Sequence, residues 1–177
     1  MRPHFQTVLD ELNLLAELAA YEPTVIGTPP LDIDIESSDI DIACTATDLE
    51  FFKSDITARF STAQGFVVEH VTNFSDPAVR AAFQSHGWEI ELFCQSLPIR
   101  QQHGVRHFHV EKRLLDIEPT LRSKVLQRKQ AGQKTEPAFA ALLRMEGDPY
   151  EAMLGLEACS DSELALLAAA GISDSFE

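Results

Sequence analysis

The chain has 177 residues, with 14 Lys and Arg against 28 Asp and Glu, and a formal net charge of −14 at neutral pH. That length buries a sizeable core, and 45% hydrophobic with 24% charged residues reads as globular rather than disordered. The acidity argues against nucleic acid as a partner, because phosphate affinity needs dense Lys and Arg, and against an anionic membrane surface.

Phe5, Val8, Leu9, Leu12, Leu15, Ala16 and Ala19 recur at helical spacing, which predicts a helix over residues 4–20 ended by Pro23. Thr24 to Gly27 reads as a short buried strand stopped by Thr28-Pro29-Pro30. Ser38 to Cys44 alternates acids with Ile, Ile and Cys, a half-buried strand. Thr47-x-x-Glu50 is a capping box for a helix over 48–62, and Phe66 to Val71 is another strand. Residues 78–84 and 88–94 form a hairpin closed at His86-Gly87. Beyond Pro98 the pattern turns helical: 99–115, then a helix opened by Glu118-Pro119 and capped by Gly132, and others opened by Thr135 and by Asp148-Pro149. Ser160-x-x-Glu163 caps a last helix that stops at Gly171. The expected fold class is α+β. A mixed sheet flanked by helices occupies residues 1–97, and a helical region, 98–177, packs on it as one unit.

No apolar run reaches the ~18 residues of a membrane span. The opening Met-Arg-Pro-His-Phe has no signal-type apolar region, and Cys44, Cys94 and Cys159 match no metal-binding spacing. A cytoplasmic protein with reduced thiols is expected. Cys44 and Cys94 fall on the core parity of their strands and read as inert packing residues. The charge is uneven: residues 1–99 carry a net −12, residues 100–134 a net +6 and residues 135–177 a net −8. A basic block inside an acidic chain suits either a local phosphate site or a solvated helical face.

Asp39 and Asp41 stand two apart on a strand, so their carboxylates share a face at ~6.5–7 Å between Cα atoms. They repel, and a divalent cation removes that cost. A bare Asp-x-Asp is more often a solvated edge. The context changes the balance: Gly27-Thr28 leaves a strand just upstream, and Trp88 to Phe93 carries Glu91 between Ile90 and Leu92, with Glu89 on the same face in reserve. Two acids on one strand and a third from a neighbour are what two-metal phosphoryl chemistry requires.

Gly-(Ser/Gly), about ten residues, Asp-h-Asp-h and a later h-Asp/Glu-h resembles the motif of the polymerase-beta-type nucleotidyltransferase superfamily. Val25 to Ile42 more closely resembles a bacterial family of unassigned function within it. So do Glu91 to Pro98, Arg106-His107 through Leu115, Lys134 to Ala140, and Gly147 to Ala152. The resemblance implies a nucleotidyltransferase-like fold and transfer of a nucleoside monophosphate from an NTP to a hydroxyl. Asp39, Asp41 and Glu91 would be the catalytic and metal-holding residues, with Mg2+ or Mn2+. Gly27, Thr28 and Ser38 would meet the nucleotide. Thr28 replaces the usual Ser or Gly, and residues 29–37 have no Arg or Lys where members often place one. Arg106 and Arg113, seven apart on one helical face, are then the candidates for the triphosphate, with His107 as a further polar contact. Given the charge, the expected acceptor is a small molecule or protein. The sequence leaves the NTP, the acceptor and the oligomeric state open.

Two rivals remain. One is a non-catalytic binding or regulatory module that keeps the fold. The other is a zinc hydrolase on His103, His107 and Glu111, which step by four along one helical face. Asp34 suits either a metal or its own loop amides.

Overall fold

The computed structural model describes residues 2–72 and 76–173. The chain divides into two units, Met1–Pro29 with Ser38–Val105, and Pro30–Ser37 with Arg106–Glu177. The first unit is built on five strands: β1 (Thr24–Ile26), β2 (Ile40–Thr45), β3 (Gln64–Val71), β4 (Ala78–Ser85) and β5 (Trp88–Gln95). They lie in the order β1-β2-β5-β4-β3. β2 and β5 pair in parallel, and the other neighbours are antiparallel.

The two-residue alternation seen in the sequence sets the faces of this sheet. Ile40, Ile42 and Cys44 stand in register with Ile90, Leu92 and Cys94, and all six are buried. Val79, Ala81 and Phe83 of β4 extend the same apolar layer. Three helices, α1 (Phe5–Glu11), α2 (Leu14–Glu17) and α3 (Leu49–Phe60), cover it with Val8, Leu9, Leu14, Phe52 and Ile56. The β4–β5 hairpin closes between Ser85 and Trp88. His86 and Gly87 take φ of 53° and 78°, the left-handed pair that a two-residue turn of matching twist demands.

The helix expected over 4–20 is broken. Asn13 has φ 49° between α1 and α2, and a 3-10 turn over Ala19–Tyr21 follows. Leu12 and Leu14 would diverge on one continuous helix, whereas the break lets both pack on the core, and Asn tolerates the left-handed region best after Gly. The cap of α3 also differs: Asp48 Oδ1, not Thr47, accepts from the Phe51 amide at 2.9 Å.

In the second unit the helices are the remainder of α4 (His103–Ile117), α5 (Leu121–Gln130), α6 (Thr135–Leu142), α7 (Pro149–Gly155) and α8 (Asp161–Ser173). Their core joins Leu114, Val125, Phe139, Met153 and Leu164 to Leu31 and Ile33. Arg122 donates to the Leu31 and Leu115 carbonyls, both at 3.2 Å, which ties residues 30–37 to this unit. Asp148 Oδ1 accepts from the Tyr150 and Glu151 amides with Pro149 in the first helical turn. Ser160 and Glu163 cap α8 reciprocally.

Three helix limits differ from expectation. A 3-10 turn, Ile99–Gln101, precedes α4, which starts at His103 and runs to Ile117. α5 starts at Leu121 rather than Pro119. Gly171 is not a stop but lies inside α8, where a Cβ would collide with the Leu142 carbonyl. Gly is there so that two helices can approach closely. No described helix is long and apolar enough to cross a membrane.

Candidate functional site

In the first unit the polar face of the sheet gathers acids from two parallel strands. Asp41 on β2 is the register partner of Glu91 on β5, so their side chains leave the sheet together. Asp39 precedes β2 on the same parity, and Glu89 stands two residues before Glu91. One ligating oxygen from each of Asp39, Glu89 and Glu91 lies within 4.8 Å of the others. Glu89, the reserve acid of the sequence, is thus brought into the cluster.

On its other side Asp41 faces the end of β1, where it is the register partner of Ile26. Gly27 follows with φ 77°, and a Cβ there would collide with the Asp41 carboxylate. Glycine is required twice, for the turn and for the close approach. Thr28 Oγ1 donates to Ser38 Oγ at 3.2 Å, which holds the Gly27-Thr28 turn against the entry to β2. Arg2 Nη1 donates to the Ser38 carbonyl at 2.7 Å, and its guanidinium lies over the Trp88 ring at 3.2 Å from the centroid.

A residue that sequence reasoning missed sits in the middle of the acids. Arg80 on β4 donates Nε to Glu91 Oε2 at 2.5 Å, and its terminal nitrogens lie 3.4 Å from Glu89 and from Glu69. Gln84 donates to Glu89 at 3.0 Å. Arg80 is thus a cation set among Glu69, Glu89 and Glu91. Burial raises the Glu91 carboxyl above its ordinary value, and Asp39 and Glu89 add to this against the pull of Arg80. Burial works against the Arg80 charge, yet the surrounding glutamates raise its pKa.

The basic candidates lie in the second unit and are engaged there. Arg106 grips the Glu157 carboxylate in a fork, with Nε and Nη2 contacts between 2.5 and 3.1 Å. Arg113 donates to the Cys159 carbonyl at 2.9 Å and to Asp161 Oδ1 at 2.7 Å. His107 is buried on α4, with its ring edge-on to Tyr150 at 6.1 Å. His103 is exposed, and the metal-capable group that includes His107 and Glu111 takes Glu136 of α6 instead. The four-step ladder is therefore corrected to a cluster from two helices.

Oxygen-only ligands from several carboxylates are the donor set that a hard divalent cation takes, and the Asp39, Glu89 and Glu91 group fits one, with Asp41 beside it as the register partner of Glu91 but outside that group. Among solved structures the chain is similar to the poly(U) polymerase Cid1 in complex with the UTP analogue UMPNPP, at 14% identity and TM-score 0.52, covering 85% of this chain and 46% of that one. It is similar to Cid1 in complex with its short product ApU at 14% identity and TM-score 0.52, over 85% and 46% of the two chains. The GLD-2/RNP-8 complex matches at 11% identity and TM-score 0.56, over 97% of this chain and 77% of that one. The chain spans about half the length of the Cid1 chains it matches. These likenesses show the fold, a nucleotidyltransferase-like mixed sheet with flanking helices. No curated protein matches the chain in sequence. The family described as Domain of unknown function (DUF4269) matches residues 7–156, so this chain, with its acids on a nucleotidyltransferase-like sheet, belongs to that family.

Proposed function

We propose that the chain is a metal-dependent nucleotidyltransferase that moves a nucleoside monophosphate from an NTP to an acceptor hydroxyl. The observation that carries this reading is the gathering of Asp39, Glu89 and Glu91 on one sheet face, with Asp41 in register with Glu91 and against the glycine turn at Gly27. Asp39, Asp41 and Glu91 would hold Mg2+ or Mn2+, which supplies charge neutralisation at the triphosphate. Gly27 and Thr28 offer the backbone and a hydroxyl to the phosphates, with Ser38 beside them. In the transfer the acceptor oxygen bonds to the α-phosphorus, the bond to the β-phosphate bridge breaks, and pyrophosphate leaves. Glu91 would complete the site and help activate the acceptor hydroxyl.

The acceptor includes nucleic acid among its candidates. Net charge of −14 argued otherwise, but a solved neighbour of the same fold is described with its short product ApU. A total charge is a sum over the whole surface, whereas an RNA end needs only a local site.

A second reading, a binding module without catalysis, is favoured by specific pairings. Arg80 occupies Glu91, while Arg106 and Arg113 are held by Glu157, Cys159 and Asp161. Calorimetry separates the two. NTP binding that requires Mn2+ or Mg2+ and is lost in Asp41→Asn is expected of the transferase. NTP binding indifferent to metal and to Asp41→Asn would leave the module.

A further inference from the structure

We infer that His107, Glu111 and Glu136 form a second divalent-metal site, of the transition-metal class to which Zn2+ belongs, within the helical unit. His107 and Glu111 stand four apart on α4, so their side chains project from the same face one turn apart. Glu136, in the first turn of α6, supplies the third group. One ligand atom from each lies within 4.8 Å of the others. A tetrahedral Zn2+ with bonds of ~2.0–2.1 Å spaces its ligand atoms at about 3.3 Å, so small side-chain rotations close the set.

Burial gives this cluster its meaning. Glu111 is 4% exposed and His107 7%. Burial and the nearby Glu136 disfavour the Glu111 charge, and Lys129 favours it. A divalent ion held by these groups would favour the ionised form of the Glu111 carboxyl. Lys129 of α5 is itself buried, and its Nζ lies 3.2 Å from Thr135 Oγ1. Tyr150 of α7 packs its ring edge-on to His107.

One imidazole and two carboxylates are a mixed nitrogen and oxygen set, which suits Zn2+ or Co2+ better than the oxygen-only face of the sheet does. Three protein ligands leave the fourth position for water or an exogenous ligand. The site is independent of the transferase reading, since it shares no residue with Asp39, Asp41 or Glu91.

The test uses the whole chain, stripped with a chelator and reloaded with Co2+. One Co2+ per chain with the intense visible bands of tetrahedral coordination is expected, both in wild type and in the Asp39→Asn/Asp41→Asn double variant. Glu136→Gln and His107→Gln should lose those bands and weaken binding at least tenfold. Zn2+ should raise the melting temperature of wild type but not of Glu136→Gln. Glu136 is only half-buried, so this variant carries the test if His107→Gln fails to fold, with circular dichroism reporting the fold. Three results would overturn the inference: no tetrahedral Co2+ spectrum in wild type, bands that survive both substitutions, or bands lost only in the Asp39→Asn/Asp41→Asn variant.

Discussion

Replacing Gly27 by Ala perturbs the site through two separable effects. An L residue held at φ 77° pays about 1–2 kcal/mol for the left-handed backbone. The new Cβ also collides with the Asp41 carboxylate, which must leave its rotamer at about 0.5–1.5 kcal/mol. Gly27→Ala should therefore destabilise the chain by about 1.5–3.5 kcal/mol, lowering the melting temperature by roughly 5–10 °C. The displaced carboxylate should weaken Mn2+ binding as well. Urea denaturation followed by circular dichroism, run in wild type and in an Asp41→Ala background, separates the effects. Without the Asp41 carboxylate only the backbone cost of about 1–2 kcal/mol should remain. An equal cost in both backgrounds would refute the collision.

Gly171→Ala should destabilise the helical unit by about 1–3 kcal/mol in urea denaturation, because its Cβ would strike the Leu142 carbonyl. Native chain at pH 8 should release one thiol equivalent to an aromatic disulfide reagent, from the partly exposed Cys159, and three in urea. Burial pushes Cys44 up to about 12 and raises Cys94 further, so neither presents a thiolate. Burial would raise the Asp55 carboxyl, but the Tyr21 hydroxyl at 2.7 Å and the Arg59 guanidinium outweigh it and hold it below its ordinary value. A depressed carboxylate stabilises the fold above its unfolded value of about 3.9 and loses that contribution as pH falls through the folded one. Tyr21→Phe should therefore cost about 0.5–1.5 kcal/mol near neutrality, and acid denaturation curves of the two proteins should converge at lower pH.

Local rules carried the sheet face. Alternation placed Ile40, Ile42 and Cys44 inward and Asp39 and Asp41 outward, and the two-residue turn at His86-Gly87 located the β4–β5 hairpin. The same turn sets Arg80 opposite Phe93, one diagonal step from Glu91, so the register could have found Arg80 had its charge been read by face. Arg106 and Arg113 do share a helical face. Their partners Glu157 and Asp161 lie more than 40 residues onward, and no periodicity reports such a meeting. Glu136 completes the His107 and Glu111 group from another helix for the same reason. Asn13 and Gly171 escape sequence rules because a left-handed break and a close helix crossing are imposed by tertiary packing rather than by propensity.

The parallel seam between β2 and β5 also dictates an order of assembly. Asp41 meets Glu91 only when segments 50 residues apart come together, whereas β4 and β5 meet across a two-residue turn. Short loops close at lower entropic cost and sooner than long ones. The hairpin, which carries Glu89, Glu91 and Arg80, is thus expected to form before Asp39 and Asp41 reach it. Arg80 would then serve as a resident counter-charge, keeping two glutamates side by side on the hairpin until β2 docks with Asp39 and Asp41.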